Sequence, residues 1–272
     1  MILKEAWNKT SKQIKSNIFL FLGVLLVELI FLFAYAIIKS IFSFLALEQA
    51  KELVVATRER SALDILNFNT ASNFGNILNK FFSHQLSLMI IGLVFILIFT
   101  VIWIIFQGKT WYLLQCISKS KRPKFSSGAR FMWNFTKLTL VWLFFALIVA
   151  GVFLKLAIPS WTISVIYPHQ TIIIWLGIIV ESVLAFYFII SYSFMDDKKK
   201  VKEVLMEAVS KITTKLHVYT FIILIFFMLS IVFLWLQSIA PWLVIKLFLG
   251  LVTTIPIISM TKLYLKNLAV KI

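Results

Sequence analysis

Six stretches of the chain stay apolar for about 20 residues, the length that a helix needs to cross a bilayer. They cover roughly 18–38, 86–106, 138–158, 171–194, 218–236 and 242–260. None alternates with a period of two, so the spans are predicted to be helical rather than barrel strands. A lysine-rich amphipathic helix, 3–16, runs directly into the first span. Segments 125–137 and 201–216 precede the third and fifth spans in the same manner. In the latter, Val201, Leu205, Ala208, Ile212 and Leu216 form a stripe that suits a helix lying in the membrane plane. The segment 40–85 joins the first two spans. Its first part, 45–66, keeps helical spacing, whereas 67–79 reads NFNTASNFGNILN and is turn-forming. The pattern predicts an all-α polytopic integral membrane protein, one domain over 1–272, with six transmembrane helices and amphipathic interfacial helices.

Composition agrees. The chain is 61% hydrophobic and 14% charged, against about 45–50% apolar and ~25% charged in soluble domains. A net charge of +16 would suggest nucleic acid in a soluble protein. Here the cations lie between apolar runs, which points to membrane orientation and excludes a nucleic-acid partner. Connections 1–17, 107–137, 195–217 and 262–272 hold twenty Lys and Arg; the alternate connections hold five. Both termini are therefore expected in the cytoplasm of a prokaryotic cell. Ala34-Tyr35-Ala36 has the look of a signal cleavage site, but Glu28 interrupts the run before it and apolar sequence continues after it, so retention is expected.

The first and fifth span entries look related. At a constant offset of 202, Leu3 falls on Leu205, Glu5 on Glu207, Ala6 on Ala208, Lys9 on Lys211, Ile14 on Leu216 and Phe19 on Phe221. Together with the basic segment 121–137 and VKEVLMEAVSKITTKL at 201–216, this order of parts resembles a group of six-span prokaryotic membrane proteins. That group includes the membrane domain attached to some glycerophosphoryl diester phosphodiesterases. The resemblance implies a six-span fold; the phosphodiesterase catalytic domain is absent from this chain, so it implies no activity and no site residue.

Candidate chemistry is sparse. The basic residues Lys9, Lys12, Lys15, Lys121, Arg122, Lys124, Arg130, Lys211 and Lys215 are expected against anionic lipid headgroups, with Phe125, Phe131, Trp133 and Phe135 at the interface. Asp196 and Asp197 are expected to cap the helix that follows them. Within the spans stand Glu28, Glu181, Lys155 and Lys246. The lysines lie near span ends and snorkel; the glutamates lie near mid-span, where a charge costs at least ~2.5–3.5 kcal/mol. Three arrangements compete: the glutamates share a proton, or each pairs with Lys155 or Lys246, or each is hydrogen-bonded near Ser182, Thr139 or Thr253. There is no nucleophile motif, phosphate loop or His/Cys metal spacing, so no enzyme, metal or cofactor is expected. The expected role is membrane organisation, or a subunit of a membrane assembly. The alternative is a small transporter or permease subunit using Glu28 and Glu181, with a separate ATPase as partner.

Overall fold

The computed structural model describes residues 2–65, 71–157, 168–196, 198–215, 224 and 255–271. Every regular element among them is a helix: α1 (Ile2–Ser16), α2 (Ile18–Ile65), α3 (Ala71–Ser118), α4 (Phe125–Ala157), α5 (Pro168–Phe194), α6 (Val201–Thr214) and α7 (Ile255–Lys271). Four stretches are long and apolar enough to cross a membrane: Ile18–Val55, Ser83–Ser118, Phe125–Phe153 and Trp175–Phe194. The described residues are all-helical, and these four long apolar helices are those of a membrane-embedded protein. The expected span 218–236, apart from Leu224, and most of 242–260 lie outside the described residues.

Three boundaries differ from the sequence reading. α2 does not end at residue 38 but continues to Ile65, so Lys39 lies inside a helix rather than in a connection. α3 begins at Ala71, making 71–79 helical despite its asparagines; helix propensity is a weak prior that context overrides. The expected interfacial segment 125–137 is not a separate helix. It is the start of α4, because no proline interrupts the chain at the junction and Gly128 falls in the first turn.

The chain forms two compact units, Met1–Leu29 with Ile104–Ile272, and Ile30–Trp103. In the second, α2 and α3 pair through aromatic rings at helical spacing. Phe31 meets Trp103 at 5.7 Å between centroids, Tyr35 meets Phe99 at 5.5 Å and Phe42 meets Phe95 at 5.3 Å. All three contacts are edge-on, the geometry that ring quadrupoles favour. Beyond them His84 Nδ1 and Gln49 Oε1 lie 3.0 Å apart.

The first unit is built around α7. Ser259, Leu263, Lys266 and Asn267 are buried on it, as are Leu265 and Leu268, so it packs on more than one face. The stretch 262–272, counted in the sequence as a connection, is thus part of a packed helix. Two of the three cations counted there, Lys262 and Lys266, are drawn into the protein. α1 docks on α7 by a small and polar stripe, Ala6, Thr10 and Gln13. Asn267 Nδ2 donates to Thr10 Oγ1 at 2.9 Å and to Gln13 Oε1 at 2.7 Å. Gln13 Nε2 donates in turn to the Ser118 carbonyl at 2.7 Å, and the Ser118 hydroxyl donates to Asn267 Oδ1 at 3.0 Å. Each buried amide atom thus has a partner, which avoids the desolvation cost of an unmet group. The α1 stripe therefore binds protein, and the half-exposed Trp7 ring lies 6.3 Å from that of Tyr264 on α7.

α4 and α5 pack against each other over an aromatic core. Phe135 stacks on Tyr192 at 4.3 Å between centroids, flanked by Phe131, Trp111 and Phe188. Phe131 and Phe135 are fully buried, so only Phe125 and Trp133 of the four expected interfacial rings face outward. α3 approaches α4 closely at Gly108, where an added Cβ would stand 2.8 Å from the Met132 thioether. α6 buries Val204, Ala208 and Ile212, a face rotated from the expected stripe: Leu205 and Val201 are only half-buried. The reason is that α6 packs on α5 and α4.

Candidate functional site

Glu28 lies on α2, inside the first unit, and its carboxylate is fully engaged. Gln107 Nε2 on α3 donates to Oε2 at 2.9 Å, and the Lys262 ammonium on α7 donates to Oε1. Lys262 also donates to Gln107 Oε1 at 2.5 Å, closing a three-membered ring of hydrogen bonds. The Glu28 side chain is 4% exposed and that of Lys262 13%. A buried ion pair is tolerable when its remaining lone pairs and protons are satisfied, and Gln107 does this from both ends. The partner of Glu28 is thus neither Lys155 nor Lys246. Lys155 falls in the last turns of α4, and Lys246 lies outside the described residues.

Glu181 stands apart. It is half-buried on α5, and its Oε1 has no hydrogen-bond partner among the described residues. The two glutamates do not bond to each other, so the shared-proton arrangement is absent. Thr139, considered as a partner, instead bonds the Tyr192 hydroxyl at 2.6 Å; Thr253 lies outside the described residues, as does the Ser182 side chain.

The basic residues gather where α3 and α5 end. Lys12, Lys15, Lys121, Arg122, Lys124, Arg130 and Lys215 are exposed, while Lys9 and Lys211 are half-buried. The short link between α3 and α4 is held by Tyr112, whose hydroxyl accepts from the Lys124 amide at 2.8 Å and lies 2.8 Å from Ser127 Oγ. A cavity of about 430 Å³ under this link is lined by Lys121, Arg122 and Lys124. A second cavity, of about 480 Å³, opens among α1, α6 and the ends of α3 and α5. Lys9 and Lys211 both line it.

Asp196, expected as a helix cap, has another role. Its Oδ1 accepts from Gln115 Nε2 at 2.6 Å, and its Oδ2 pairs with Lys119. α6 is capped instead by Glu203, whose Oε2 accepts the Lys200 amide at 3.1 Å. Glu207 pairs with Lys199.

Sequence reasoning missed Gln107, Lys262, Lys266 and Asn267. A signal existed for the last three. Ser259, Lys262, Lys266 and Asn267 recur at i, i+3, i+7 and i+8, a polar stripe along one side of a helix. Comparisons with family models, with curated proteins and with solved structures find no match.

Proposed function

We propose that this is a six-span, non-enzymatic protein of the prokaryotic cytoplasmic membrane whose basic face rests on anionic lipid. It serves membrane organisation, or acts as a subunit of a larger membrane assembly. The observation that carries the reading is the clustering of exposed cations at one end of the first unit. Lys12 and Lys15 come from α1, Lys121, Arg122 and Lys124 from the link before α4, and Lys215 from the end of α6. By the positive-inside rule that end faces the cytoplasm, where each basic residue near an anionic leaflet gains ~1 kcal/mol. Phe125, 94% exposed, and Trp133, 61% exposed, flank these cations as interfacial anchors.

The test is the lipid selectivity of the full chain reconstituted in mixed bilayers, read by spin-labelled phosphatidylglycerol against spin-labelled phosphatidylcholine. Replacing Lys12, Lys15, Arg130 and Lys215 by Gln is expected to weaken the preference for the anionic probe. A preference unchanged in that variant and unchanged by high salt would refute the reading.

One observation favours a second reading, a small transporter or permease subunit with a separate ATPase as partner: the unpartnered Oε1 of Glu181 within a span. Glu28 adds little to it, being tied to Lys262 and Gln107. If proton or solute flux into proteoliposomes is the same for Glu181→Gln as for the unaltered chain, the carboxylate transporter reading fails.

A further inference from the structure

The cavity of about 480 Å³ has the size of a small-ligand site, and its lining is unevenly charged. Among the described residues that line it, five lysines stand against two carboxylates. Asp196 and Glu207 are paired with Lys119 and Lys199 respectively, so both negative charges are already matched. Lys9, Lys211 and Lys266 line the same cavity, so lysines outnumber carboxylates there.

The excess is placed in depth as well as in number. Lys266 is 4% exposed, and its ammonium donates to the Met195 carbonyl at 2.7 Å and to the Ser193 carbonyl at 3.4 Å. The end of a helix presents carbonyls and would otherwise repel an anion; Lys266 covers these and makes that wall positive. Lys9 comes from α1 and Lys211 from α6, and the offset of 202 that relates these helices carries one onto the other. The same offset carries Ala6 onto Ala208 and Thr10 onto Ile212, and all four are buried. The two related helices thus turn equivalent faces inward and contribute equivalent lysines to one cavity.

We propose that this cavity binds a single phosphate group, with Lys9 and Lys211 as its two outer contacts and Lys266 as the positive wall behind it. Ser193 and Phe194, at the cavity, are the last residues of a membrane-crossing stretch, the depth at which a phospholipid headgroup lies. Basic pockets between spans on the cytoplasmic side are suited to such headgroups, and lysine recognises phosphate as a point charge without requiring a planar partner. This inference rests on the lipid-surface reading for its orientation but names a discrete site, distinct from the diffuse charge of the exposed residues.

The experiment titrates the full chain, held in phosphatidylcholine nanodiscs, with dihexanoyl phosphatidic acid, using calorimetry. One saturable site is expected, weakened about 30-fold in the Lys9→Gln, Lys211→Gln variant. The charge-preserving Lys9→Arg, Lys211→Arg variant is expected to stay within about threefold of the original, which separates lost charge from lost folding. Inorganic phosphate that displaces the probe identifies the bare phosphate group as the ligand; failure to displace it assigns the glycerol and acyl parts to the site as well. Equal binding of dihexanoyl phosphatidylcholine would overturn the proposal, as would glutamine and arginine pairs that bind alike. The Lys12, Lys15, Arg130, Lys215 variant is expected to keep the saturable site, so the surface reading and the cavity can fail separately.

Discussion

Cutting one arm of the Glu28–Gln107–Lys262 ring should cost more than removing both charges together. Lys262→Met leaves the Glu28 carboxylate, 4% exposed, with Gln107 Nε2 as its remaining donor in the ring. Removing one member of a buried ion pair costs about 3–5 kcal/mol. Gln107 Oε1 loses its donor at the same time, for roughly 1–3 kcal/mol more. Glu28→Leu strands Lys262 in the same way, though its 13% exposure lets the ammonium recover some water. The double variant Glu28→Leu, Lys262→Met removes both charges and fills their volume. Only Gln107 is then unsatisfied, and the loss should fall to about 1–3 kcal/mol. The cycle therefore predicts a coupling of about 3 kcal/mol or more, far above the few tenths expected of independent sites. The assay is equilibrium unfolding of the purified chain in mixed micelles by added dodecyl sulfate, followed through tryptophan fluorescence. Losses in the two single variants that add up, within about 0.5 kcal/mol, to the loss in the double would show that the ring is not formed.

Three other outcomes follow from the first unit. Asn267→Leu breaks the bonds to Thr10, Gln13 and Ser118 and should release α1, raising amide hydrogen exchange across 2–16 well above that of α4; unchanged exchange would contradict the docking. Phe135→Ala should lower stability by about 3–5 kcal/mol, whereas the outward Phe125→Ala should leave the unfolding midpoint in place and weaken only membrane anchoring. Gly108→Ala should cost about 1–3 kcal/mol by overpacking against Met132, and adding Met132→Ala should restore part of the loss in the same unfolding assay.

The periodicity of the sequence was enough to place four spans, though not the extension of α2 or the start of α3. α1 and α6 occur where lysine-rich amphipathic segments were expected, and the four described spans overlap the expected ones. It was not enough to orient their faces. Thr10 and Gln13, on a helix expected at the lipid surface, are bound to protein, and their partner Asn267 lies more than 250 residues further along the chain. Phe131 and Phe135 read as interfacial: a ring suits either a headgroup region or a core, and only the position of Tyr192 decides. Glu28 stands out in the sequence as a charge within an apolar run. Its partner could not be found, since hydropathy places Lys262 past the end of a span and cannot tell a buried ammonium from an exposed one.

The position of α7 in the chain bears on how the protein is made. It is the last of the seven described helices to leave the ribosome, yet it supplies the partners of both Glu28 and the inner face of α1. Glu28 and Lys262 are 234 residues apart. At about 5–20 residues per second, the carboxylate is in place for roughly 10–50 s before its ammonium is synthesised. Through that interval Glu28 stands within a span without its cation, where a charge costs at least ~2.5–3.5 kcal/mol. A nascent chain arrested before residue 262 would leave this acid unmatched, a distinct mark by which membrane quality control could tell an unfinished molecule from a finished one.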